Sequence, residues 1–66
     1  MTLKARMVIM SHLSDAQHLM ESSAIDANLR INFAKFLLLK FPNTDVEIDP
    51  EAEWEQFENT HPQFFK

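Results

Sequence analysis

Apolar and polar positions in the first twenty residues recur at the period of a helix. Leu3, Met7, Met10 and Leu13 follow one another at spacings of four, three and three, and Ile9, Leu13, Ala16 and Met20 form a second row beside them. Lys4, Ser11, Ser14, Asp15, His18 and Glu21 share one arc of roughly 120°, the water-facing side of such a helix. The rows predict one helix over about 2–22. An alternative break lies at Ser14, because Ser14–Gln17 reads "SDAQ", the form of a capping box. In that arrangement "MVIM" becomes a separate short element. The unbroken rows favour the continuous helix.

Ser22, Ser23 and Asp26 can each accept from free amides at a helix start. A second helix is therefore predicted over about 25–41, ended by Pro42, which disfavours helical geometry at the residue before it. Its C-terminal part, "INFAKFLLLKF", holds seven Ile, Phe or Leu residues in eleven. Apolar residues cover an arc of about 220° of this helix, wider than one neighbouring helix can hide. Arg30 and Lys40 lie inside that arc and must snorkel.

Residues 42–49 read as an extended linker. Pro42-Asn43 is turn chemistry, with Asn43 expected at positive φ in a chain that has no glycine. Val46 and Ile48 alternate with Glu47 and Asp49, so both are expected to point inward. A third helix over about 50–60 has the clearest limits: Asp49 as N-cap, Pro50 in the first position, Glu51 and Glu53 in the first turn, and Pro62 beyond the end. Trp54, Phe57 and His61 share one face of it. Residues 62–66 form a tail whose adjacent Phe64 and Phe65 point opposite ways if extended.

The expected architecture is all-α: a single small three-helix domain over 1–66, with the first two helices as an antiparallel hairpin and the third packed across them. Its core should contain Met10, Leu13, Leu29, Phe33, Phe36, Leu37, Val46, Ile48, Trp54 and Phe57.

Composition narrows the function classes. The chain has 66 residues, no cysteine and no glycine. Disulfides, cysteine-based zinc sites and glycine-rich phosphate loops are thereby excluded. The opening "MTLKARMVIMSHL" has too short an apolar run for a secretory signal, and no stretch reaches the ~18 apolar residues of a membrane span. The expectation is a soluble, cytoplasmic protein that does not enter a membrane. Net charge is −4, which weighs against a nucleic-acid binder, since lysine and arginine supply most phosphate affinity.

Three constellations invite chemical readings. His12, Asp15 and His18 form an H-x-x-D-x-x-H run, but His12 and His18 stand two turns apart, so a metal would need ligands from another chain. His61 near Glu58 or Glu53 could suggest acid–base work, yet no nucleophile motif accompanies it and so small a chain offers little room for a substrate pocket. Six acids between Glu47 and Glu58 could dock a basic partner, although helix capping already accounts for Asp49, Glu51 and Glu53.

No motif is specific enough to name a family. The chain is expected to be a non-enzymatic protein–protein interaction module that self-associates as a dimer or binds another protein, without cofactor or metal. Its candidate interaction surface is Phe33, Phe36, Leu37, Leu39, Phe64 and Phe65, drawn from the wide apolar arc and the tail. The alternative is a small nucleic-acid-linked regulator, a repressor or antitoxin-like partner. It would use a basic stripe of Lys4, Arg6 and Arg30 across a dimer.

Overall fold

The computed structural model describes residues 1–65. In chain order the elements are β1 (Leu3–Lys4), α1 (Ala5–Leu19), α2 (Ala24–Lys40), β2 (Glu47–Ile48), α3 (Pro50–Thr60) and a 3₁₀ turn (Pro62–Phe65). Helices α1 and α2 form a hairpin, and α3 packs against it after the linker, so the small all-α fold read from the pattern is the fold observed.

Helix α1 is continuous through Ser14, but it begins at Ala5, three residues later than its apolar rows suggest. Leu3 and Lys4 instead form an antiparallel pair with Ile48 and Glu47. Lys4 thus sits opposite Glu47, a cross-strand charge pair, and Thr2 Oγ1 donates to Glu47 Oε1 at 3.0 Å. The Lys4 side chain makes no cap. Linker carbonyls supply what a capping side chain would: the Ala5 amide donates to Val46 O at 2.8 Å and the Arg6 amide to Thr44 O at 2.9 Å. Helix α1 is therefore started by a segment forty residues away in the chain.

Local signals set the other boundaries. Ser23 caps α2, accepting from the Asp26 amide at 3.4 Å, and the Phe41 amide closes the far end on Leu37 O before Pro42. Asp49 caps α3, accepting from the Glu51 amide at 3.1 Å. Asn43 turns the chain differently from the expectation. Among the described residues none has positive φ, and Asn43 Oδ1 accepts the Asp45 amide at 3.2 Å in a local side-chain turn.

The core consists of Ala5, Val8, Ile9, Phe33, Ala34, Leu37, Ile48 and Phe57, with Leu29, Phe36, Phe41, Trp54, Phe64 and Phe65 packed round it. Three expected core residues lie elsewhere: Met10 is 69% exposed, Leu13 is exposed, and Val46 is 36% exposed. The reason is how α1 is rotated. It turns Ala5 and Ala16 inward, and α2 turns in Ala27 and Ala34, all four buried. Small side chains let two helix backbones approach closely, and the bulk is then supplied by Val8 and Ile9. The long methionines are left outside. Val46 lies in the bend before β2 and not in extended chain, so the expected alternation fails there, while Ile48 fills the core from the linker.

The tail is folded as well. In the 3₁₀ turn, successive side chains diverge by about 120° rather than 180°, so Phe64 and Phe65 both reach the core. Phe64 stacks on Phe57 at 5.8 Å, and Phe65 meets Trp54 edge-on at 5.6 Å.

Candidate interaction surface

The six residues read as an interaction surface separate into three groups. Phe33 and Leu37 are fully buried inside the chain and cannot line a surface in the folded state. Phe36, Phe64 and Phe65 are half-buried and engaged with Phe57 or Trp54. Leu39 alone is openly displayed, at 85% exposure. It borders an open groove between α2 and α3 of about 510 Å³, lined also by Asn32, Lys35, Phe36, Lys40, Gln56 and His61.

A second apolar surface lies on the outer side of the hairpin. Leu13 on α1 and Met20 (62% exposed) at its C-cap are seven residues apart and so form one stripe two turns long, with the exposed Met10 beside it. On α2, Ile31 and Leu38 repeat the same interval. Met20 and Ile31 line one shallow hollow together with Ala24, Ala27 and Asn28, which brings the two stripes side by side. On the α2 wheel Phe36 lies roughly 140° from Ile31, so the double stripe faces away from α3. The sequence contained the signal for it. A helix whose apolar rows cover more than one stripe has apolar side chains left over once the core is filled.

One charge stands at this surface: exposed Lys35 is one turn from both Ile31 and Leu38. Six of the ten acidic residues, Glu47 to Glu58, lie on β2, α3 and the junction between them. Of the basic residues, Arg6 pairs with Asp45 at 3.0 Å. Lys40 runs along the rings of Phe36 and Phe41 to reach Glu53 at 2.6 Å and also bonds Gln56. Arg30 lies over the Trp54 ring, 5.6 Å from its centroid. Lys4, Arg6 and Arg30 therefore do not form one free basic stripe within the chain.

The three histidines have separate surroundings. His12 is half-buried: its ring stacks on Trp54 at 6.0 Å, meets Phe33 edge-on at 4.7 Å, and hydrogen-bonds Arg30 Nη1 through Nδ1 at 3.1 Å. Burial, then the neighbouring guanidinium, hold its pKa below the ordinary 6.5, against a smaller upward pull from Asp15. Asp15, one turn from His12, and His18 are exposed. His61 ends α3 and stacks on Phe57 at 4.9 Å. Among the described residues, no three His, Asp or Glu side chains converge on a point where a metal could bind, and no helix is long and apolar enough to cross a membrane.

Comparison with known proteins finds no matching family model, no matching curated protein and no matching solved structure.

Proposed function

We propose that this chain is a non-enzymatic helical interaction module whose first partner is a second copy of itself, docked through the outer face of the α1–α2 hairpin. The observation that carries the proposal is the double apolar stripe of Leu13 on α1 and Met20 at its C-cap beside half-buried Ile31 and exposed Leu38 on α2. Exposing several large side chains forfeits about 1.5–3 kcal/mol each compared with full burial, a heavy loss for a domain of 66 residues. Packing two hairpins face to face would recover much of it as a four-helix bundle. A standard interface takes about 800 Å² from each partner, roughly a sixth of the chain's 4719 Å². The acid-rich β2–α3 segment lies off this face, so two copies with a net charge of −4 each can meet there without opposing their acidic sides.

Sedimentation equilibrium across the micromolar range tests the reading. The expected result is a monomer–dimer equilibrium that shifts to monomer in Met20→Glu and Leu38→Glu, with the helical circular dichroism retained. A wild-type chain that remains monomeric at every concentration removes the proposal.

A further inference from the structure

The junction of the three helices holds a polar arrangement that self-association does not use. Arg30, from α2, contacts both His12 of α1 and Trp54 of α3, whose rings stack on each other. An arginine side chain can only donate, so the 3.1 Å contact makes His12 Nδ1 the acceptor and places the imidazole proton on Nε2. The contact therefore exists only while His12 is neutral. His12, Arg30, Pro50, Glu51 and Trp54 line a shallow surface hollow, so water and protons reach the site.

We propose that His12, Arg30 and Trp54 form an acid-sensitive latch: protonation of His12 at Nδ1 expels Arg30 toward Glu51 while the helices stay formed. The proton occupies the lone pair that accepts from Arg30, and it sets two cations at hydrogen-bonding distance where solvent screening is reduced. The groups facing His12 determine where the charges go. Asp15 on its own helix attracts the imidazolium, Arg30 on α2 repels it, and Glu51 on α3, in the same hollow, is a carboxylate placed to receive the displaced guanidinium. Once Arg30 leaves, the His12 imidazolium takes its place as the cation stacked on Trp54. The exchange stays local, because α3 is held to the hairpin also by Phe57, by the Lys40–Glu53 pair and by Ile48, which lies in the core just before it. Burial and Arg30 both lower the affinity of His12 for the proton, so the latch stays closed at neutral pH and opens in weak acid.

Trp54 is the only tryptophan, so its fluorescence reports on this junction alone. The protein is titrated from about pH 8 to about pH 5, following tryptophan emission and far-ultraviolet circular dichroism together, at a concentration where it is monomeric. The expected result is a one-proton change in emission with its midpoint below 6.5 and no accompanying loss of helix. It should be absent in His12→Gln, unchanged in His61→Gln, and moved to higher pH in Arg30→Gln. Should His12→Gln fail to fold, the imidazole resonance of His12 in the wild type supplies the same midpoint by nuclear magnetic resonance. The proposal is overturned by a transition that persists in His12→Gln, a midpoint at or above the ordinary value, no shift in Arg30→Gln, or a helix signal that falls in step with the emission.

Discussion

Phe57 is packed against six aromatic rings: Phe33, Phe36, Trp54, His61, Phe64 and Phe65. It joins α2, α3 and the 3₁₀ turn, so truncation removes contacts on several sides at once. Phe57→Ala is expected to cost about 3–5 kcal/mol, most of the stability of so small a domain; urea denaturation followed by circular dichroism would measure it. Leu39→Ala on the exposed rim should change stability by less than about 0.5 kcal/mol. A loss of Leu39→Ala comparable to that of Phe57→Ala would contradict the packing described. His12 makes stability depend on pH. Its pKa is lower in the folded chain than the ordinary 6.5, so the unfolded chain binds the proton more readily. The contribution of neutral His12 is complete above 6.5 and is lost as pH falls from there through the folded value. Wild type should therefore lose stability relative to His12→Gln as pH is lowered through this window, and parallel curves would show that His12 is not linked to folding.

At the scale of elements, boundaries written in adjacent residues were legible and boundaries made by distant ones were not. Asp49-Pro50 and Ser23 mark helix starts in the chain itself, and α3 runs over the predicted residues. Asp49→Ala should cost about 1 kcal/mol by removing the acceptor for the Glu51 amide. Ser14 resembles a cap in sequence but lies inside continuous α1, where it caps nothing. Ser14→Ala is expected to leave thermal stability unchanged or slightly raised, since alanine is the better helix former by a few tenths of a kcal/mol. A loss of about 1 kcal/mol, as for a true N-cap, would argue for the broken helix. The true start of α1 at Ala5 has no local signature, because its first amides bond to Thr44 and Val46 across the fold.

For the whole molecule, the open question posed by the apolar chain is what covers its outer face. Helix α3 and the tail close one side of the hairpin, with Trp54, Phe57, Phe64 and Phe65 all engaged. The other side keeps Met10, Leu13, Met20 and Leu38 in water. If a second copy covers them, thermal stability should rise with protein concentration, because binding to the folded state alone stabilises it by mass action. Met20→Glu and Leu38→Glu should lose that dependence. A melting temperature independent of concentration in the wild type would argue against a second copy on this face.

The wide apolar arc of α2 required burial from more than one direction, and the turn residues limited the chain to three helices. Those features follow from periodicity and local hydrogen bonding, which a linear sequence carries. Which side of α1 faces inward is different. Two apolar rows competed, and the fold turns Ala5 and Ala16 inward together with Ala27 and Ala34 of the facing helix. The same choice left the methionine row outside, buried Phe33 and Leu37, and brought His12 beside Arg30 and Trp54. Interhelical distance and rotation depend on side chains from both helices together, so they emerge only when the chain is folded.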